Sequence, residues 1–124
     1  MSNVTHLENQ KTQAKELIAR REAAIRLHSN PDFKKLIVDG FMLEEAARYV
    51  QLSQDPSLEP HQQTDALRLA QASGHLKRFL QVTIQLGNTA EGEMGDLDEM
   101  IEEARIQEDE EDAEQSEFDL GDND

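Results

Sequence analysis

The chain has 124 residues, of which 36% are hydrophobic and 4% aromatic, and its formal net charge is −15. This length fits one small domain with a tail. The absence of cysteine excludes disulfides, thiolate metal sites and cysteine nucleophiles. No apolar run approaches the roughly 20 residues of a membrane span, and the first residues do not form a secretory signal. We therefore expect an intracellular protein with no membrane partner.

The charge is divided sharply between two parts of the chain. Residues 1–88 contain 11 Lys/Arg and 10 Asp/Glu, a net charge of +1. Residues 89–124 contain one Arg and 17 Asp/Glu, a net charge of −16, and the two parts sum to −15. The sequence therefore predicts a nearly neutral helical body, residues 1–88, followed by a polyanionic end.

The first predicted helix covers residues 5–28. Leu7, Ala14, Leu17, Ile18 and Ile25 recur at helical spacing and form one apolar stripe. The opposite face carries acid-first i,i+4 pairs, such as Glu16 with Arg20, which are typical of a solvated face.

The stretch "SNPDF" predicts the start of a second helix. Asn30 can cap it, Pro31 suits the first position, and Asp32 lies at the positive end of the helix dipole. Apolar residues then lie on every side up to residue 52. We expect either a central buried helix or, preferably, a bend at Asp39–Gly40.

A third predicted helix covers residues 58–86, after a connector that contains Pro56 and Pro60. Its second half, "LKRFLQVTIQLG", spreads apolar residues over an arc of roughly 200° at 100° per residue. Such an arc indicates a central helix or a face left for another chain. Val82 and Leu86 are therefore candidate partner-binding residues.

A short acidic fourth helix is predicted over residues 89–107, with Met94, Leu97, Ile101 and Ala104 on one face. Residues 108–124 repel one another and have little to bury, so we expect a disordered acidic tail. Phe118 and Leu120 are candidate anchors of a docking segment within this tail. The predicted fold class is all-α: a bundle of three principal helices, a short fourth helix and a tail. Its predicted core comprises Leu17, Ile18, Ile25, Phe33, Leu36, Ile37, Leu76, Phe79 and Leu80.

Three basic doublets could form a cationic patch if they converge. They are Arg20–Arg21, Lys34–Lys35 and Lys77–Arg78. The aromatic platforms of a single-strand binder are missing, and a body of net charge +1 attracts phosphate weakly. The patch could instead receive the acidic tail, and separate solubilising residues remain the simplest interpretation. The sequence thus argues against a nucleic-acid partner.

No pattern of residues in the chain predicts catalysis or a bound cofactor. Phosphate-binding loops, nucleophile elbows and zinc-protease motifs are absent from the sequence. The paired carboxylates lie in the polyanionic end, where nothing predicts the pocket that separates their pKa values in acid–base catalysis. We therefore expect a non-enzymatic protein with no catalytic residue, cofactor or metal.

Two blocks, "REAAIRLHSNPDFKKLIVDGFMLEEAARYVQL" and "DALRLAQASGHLKRFLQVTIQLGNTAE", resemble small helical proteins of unknown function encoded by tailed bacteriophages. The resemblance covers residues 21–91. It implies a viral setting, in the host cytoplasm or the virion, and a part in particle assembly.

Three functions follow from these observations. The first is a virion-associated or assembly accessory protein that binds a structural partner, such as a capsid or portal component, and that could also form a homo-oligomer. The second is an acidic nucleic-acid mimic that inhibits a host DNA-binding protein. The third is a nucleic-acid-binding regulator restrained by its tail. We favour the first, because the apolar arc and the segregated charge both suit protein contacts.

Overall fold

A computed structural model describes residues 2–121 of the protein, with side chains described for residues 2–117. Within the described residues the chain is 92% helical and contains no strand. Helix α1 is Asn3–His28, α2 is Pro31–Phe33, a π-helical segment is Lys34–Glu45, α3 is Ala46–Ser53 and α4 is Pro60–Gly121. Helices α2 and α3 and the segment between them form one continuous rod, the middle rod. The prediction of an all-α protein is confirmed.

The helix starts follow from local capping. The side chain of Ser2 accepts a hydrogen bond from the Thr5 N–H at 3.1 Å and so caps α1. The Asn30 side chain accepts bonds from the N–H groups of Asp32 and Phe33, at 2.9 and 3.1 Å, with Pro31 at the first helical position. Each cap satisfies amide donors that have no partner within the first turn. The predicted start of the second helix is confirmed.

Helix α4 is the longest helix, and both α1 and the middle rod pack against it, along different parts of its length. Helix α1 runs antiparallel along the C-terminal half: Arg105 reaches Glu8 at 2.7 Å, whereas Asn88 lies 3.0 Å from the side chain of Arg21. Helix α3 packs against the N-terminal half. Side chains from residue 110 to residue 117 are exposed, and we call residues 110–121, the end of α4, the acidic arm.

The core lies between α1 and α4 and is built largely from small side chains. Its members alternate at spacings of three and four along α4, as in paired helices. The buried cluster comprises Leu7, Ala14, Ala90, Leu97, Ile101 and Ala104, with Val4, Leu17, Ile18 and Met94 packed against it. The face predicted for the acidic fourth helix is therefore the one that packs on α1.

The predicted break before a fourth helix is absent, because α4 continues without interruption from Pro60 to Gly121. Gly87 and Ala90 are buried on both sides of the expected cap at Asn88 or Thr89. Packing against α1 favours the helix across the point where local sequence predicts a start.

The disorder predicted from residue 108 is not confirmed, since α4 is helical through Gly121. Extending an existing helix avoids the cost of nucleation, and the Glu, Ala and Gln residues of this stretch have good helix propensity.

The predicted core was wrong in part. Leu80 is buried, and Leu17, Ile18, Phe33, Ile37 and Leu76 are half-buried. Ile25, Leu36 and Phe79 are exposed instead. The middle rod packs along α4 rather than over α1, so these three side chains are not enclosed between helices. The two shorter helices predicted on either side of Asp39–Gly40 are also absent, since the helix continues through both residues within the π-helical segment Lys34–Glu45.

Candidate apolar docking groove

An open apolar groove lies between the C-terminal part of α1 and the middle of α4. Its volume is about 450 Å³, within the range of small binding clefts. We call it the groove. Its described lining residues are Leu17, Arg20, Ala23, Ala24, Leu27, Phe79, Leu80, Val82, Thr83 and Leu86.

The groove forms because α4 carries two neighbouring stripes of residues at helical spacing. One stripe, which includes Leu80 and Gly87, is buried against α1. The other, Phe79, Thr83 and Leu86, repeats at spacings of four and three and lies at the edge of that contact. Helix α1 matches the second stripe with residues 17, 20, 24 and 27, also three and four apart. When two antiparallel helices each expose a second apolar stripe on the same side, the two stripes form a surface on which a further helix can pack.

Two large apolar side chains of the groove are exposed to solvent. Phe79 is 65% exposed and Leu86 47% exposed, although aromatic and leucine side chains are the ones most stabilised by burial. The structure therefore places the predicted residues Val82 and Leu86 in one apolar cleft. Their binding of a partner stays a prediction.

Arg21 fixes the closed side of the α1–α4 contact. Its side chain is only 7% exposed, and its guanidinium donates to Glu91 at 2.5 Å, to Asn88 at 3.0 Å and to Glu22 at 2.7 Å. Hydrogen bonds to Glu91 and Glu22 raise the pKa of Arg21 above its ordinary value, against the opposing effect of burial. A buried charge needs such partners.

Gly87 makes this contact possible. A Cβ atom at this position would lie 2.2 Å from the Cβ of Arg21, far inside van der Waals contact. At Gly74, Gly92 and Gly95 nothing lies within 4 Å of the same added atom. Gly87 therefore lets α1 approach α4 closely beside the groove.

The proposed basic patch loses Arg21, which is buried between helices instead of facing a ligand. Arg20 lies at the groove and pairs with Glu16 at 3.0 Å. The remaining candidates, Lys34, Lys35, Lys77 and Arg78, are exposed, and none is among the described residues that line the groove. Phe118 and Leu120 lie on the acidic arm, and their side chains fall outside those described.

A larger depression of about 780 Å³ lies nearer the acidic arm. Its walls are mostly charged, and their opposite charges already face each other, as in the pairs Lys11 with Asp98 and Arg105 with Glu8. No described side chain holds a buried polar atom without a hydrogen-bond partner. The groove, and not this charged depression, is therefore the candidate site.

Among the described residues no group of three or more His, Asp or Glu side chains is placed to hold a metal ion. No helix within residues 2–121 is long and apolar enough to cross a membrane. Comparisons with protein-family models, with curated proteins and with solved structures found no match.

Sequence reasoning missed the contact between Arg21 and Gly87 and the exposure of Phe79. The 3–4 spacing of Phe79, Thr83 and Leu86 beside that of Leu80 and Gly87 was visible in the sequence. Two such stripes side by side indicate a helix with two neighbours.

Proposed function

We propose that this protein is a non-enzymatic interaction protein whose groove accepts a helix of another polypeptide. The observation that carries the proposal is the open apolar groove, with Phe79 and Leu86 at its mouth. An amphipathic helix inserts side chains three and four residues apart into such a groove.

The charge distribution supports a protein partner. Residues 89–124 carry a net charge of −16, which speeds encounter with a basic surface at long range. The body and the acidic arm thus offer two modes of contact, one apolar and one electrostatic. We further propose that this activity belongs to virion assembly, with a capsid or portal component as the structural partner. The resemblance of residues 21–91 to phage proteins supports this setting.

A photo-crosslinking amino acid at position 79, introduced into the full chain in producing cells, tests the proposal. We expect a defined polypeptide to be captured, with the crosslinks confined to one amphipathic helical segment, and the complex to form again from purified components. The matched control places the same crosslinker at Leu43, on the middle rod, which is 65% exposed, as Phe79 is. Equal capture at both positions, or none at 79, contradicts the proposal.

A second function, mimicry of nucleic acid, gains support from the helicity of the acidic half. Residues 91–117 of α4 contain 14 Asp/Glu. At 1.5 Å per residue these 27 residues span about 40 Å, so one carboxylate falls at every ~3 Å. The phosphates of one DNA strand are spaced about 3.4 Å apart along the axis.

Competition separates this alternative from the first function. A mimic displaces labelled duplex DNA from a host polymerase or nuclease, and truncation after Gln107 weakens the displacement. If Phe79→Asp weakens partner binding while that truncation does not, the groove carries the function and mimicry is excluded.

A further inference from the structure

The structure leaves an unusually large surface uncovered. The chain of 14.1 kDa exposes 9376 Å², whereas a compact monomer of this mass exposes about 6,700 Å². Phe79 and Leu86, which line the groove, are among the exposed large hydrophobic side chains. A standard interface removes about 800 Å² from each partner. The exposed area in excess of a compact monomer is therefore larger than the area that one such interface removes from a chain.

The core is correspondingly small. Its buried members are mostly Ala and Leu, and among the described side chains none is completely buried. A two-helix contact of this kind gains little from burial. Covering Phe79, Leu86 and Leu27 would add large apolar side chains to the same core.

The surface of the groove is suited to a copy of itself. Of the ten described residues that line it, only Arg20 is charged, and Arg20 already pairs with Glu16 on its own helix. Phe79, at the mouth of the groove, is 65% exposed. The same patch therefore offers both a projecting side chain and a recess. A two-fold contact requires such self-complementarity, since each residue meets the partner's copy of the same patch.

Charge determines how two copies can be arranged. The groove is centred near residue 83, and the middle of the acidic segment 91–121, residue 106, lies 23 residues further along α4, or about 35 Å away. In a parallel pair the two acidic segments would lie about 10 Å apart. In an antiparallel pair their centres would be about 70 Å apart, many times the Debye length of about 8 Å. Only the antiparallel arrangement avoids strong repulsion.

We propose that the groove packs against helices α1 and α4 of a second copy, in an antiparallel two-fold dimer that buries Phe79 and Leu86. The inference rests on the proposed function, because it names the occupant of the same groove. The paired α1 and α4 helices form a four-helix core, and the acidic arms project from its opposite ends.

Sedimentation equilibrium of the full chain tests the association. We expect a mass twice that of the 14.1 kDa chain. Phe79→Asp and Leu86→Asp should each weaken the dimer at least about 100-fold, because each buries an unpaired charge. Both side chains are exposed in the single chain, so helical circular dichroism should be unchanged. Leu43→Asp, at equal exposure on the middle rod, should leave the mass unaltered.

Spin labels test the orientation. The chain has no cysteine, so Glu99→Cys gives one label per chain, 16 residues from the centre of the groove. The antiparallel dimer predicts a separation of about 45–50 Å between the two labels. A separation below about 20 Å would indicate parallel chains and overturn the proposed arrangement.

The outcomes separate the two proposals. A monomer at millimolar concentration, or a dimer dissociated by Leu43→Asp but not by Phe79→Asp, overturns the inference. If position 79 then still captures a helix of a different protein, the proposed function stands without the dimer. If the crosslinker at 79 captures nothing, both fail.

Discussion

The two halves of α4 are packed by different means. The C-terminal half is joined to α1 by ion pairs from Lys11, Arg21 and Arg105, and the close approach at Gly87, just before the middle of α4, continues this contact. The N-terminal half packs on α3, with Ala66 and other small residues buried. Among the side chains of residues 2–117, no ion pair links the middle rod to α4.

This difference shows where the register of the fold is specified. Along the C-terminal half, a shift of α1 by one residue would separate Arg21 from Glu91 and move a Cβ atom into the space at Gly87. Along the N-terminal half, no ion pair among the side chains of residues 2–117 fixes the register of α3 in this way. The groove lies at the boundary, beside the more strictly specified half, which keeps its shape defined.

The largest expected effect concerns the core of the C-terminal half. Ile101→Ala should destabilise the protein by about 2–5 kcal/mol, because it removes a buried side chain and leaves a cavity. Ile106→Ala is the matched control on the same helix and should cost less than about 1 kcal/mol. The two isoleucines are 6% and 52% exposed. Equal losses in chemical denaturation would show that α1 does not cover α4 as described.

Two glycines of α4, one at the contact with α1 and one outside it, should respond to Ala substitution with opposite signs. Gly87→Ala should destabilise by roughly 1–3 kcal/mol, because the new methyl group overlaps the side chain of Arg21. Gly74→Ala, where the added atom meets nothing within 4 Å, should stabilise by up to ~1 kcal/mol through helix propensity. Thermal unfolding measures both. A stabilising Gly87→Ala would mean that the close approach of α1 and α4 is not maintained.

The acidic arm should contribute little to stability. Truncation after Asp109 should shift the unfolding midpoint by no more than about 2 °C, since the removed side chains of residues 110–117 are exposed. The helical circular dichroism should fall in proportion to the residues removed. In the full chain, 1 M NaCl should increase arm helicity by screening repulsion between carboxylates. If truncation left the helical signal unchanged, the arm would be disordered, as the sequence predicts.

The smallest effect concerns the connector between α3 and α4. The Ser57 hydroxyl and N–H donate to Asp55 at 2.7 and 2.9 Å, which lowers the pKa of that carboxyl below its ordinary value. Because the folded-state pKa is depressed, this contribution to stability is present above the unfolded pKa and is lost as pH falls through the folded pKa. Carbon NMR titration of Asp55 should show the depression, and Ser57→Ala should reduce it. An unchanged midpoint in that variant would mean that the hydroxyl bond is not maintained.

Much of the helical architecture could be predicted because its causes are local. Asn30 and Pro31 determine a helix start whatever surrounds them, and the i,i+4 pair of Glu16 and Arg20 forms within one turn of α1. The spacing of Met94, Leu97, Ile101 and Ala104 likewise identified the face that packs on α1. These features depend on capping, charge spacing and helical periodicity, which the sequence carries by itself.

What only the tertiary structure decided is which neighbour covers each face. Periodicity places Phe79 and Leu80 among the apolar residues of α4, but the position of α1 leaves the first exposed and buries the second. The same contact carries α4 through the predicted break near Asn88 and determines that Arg21 is a buried interhelical partner, not part of a basic patch. Burial and ion pairing between helices depend on residues about 70 positions apart in the chain, and local propensity contains no information about such pairs.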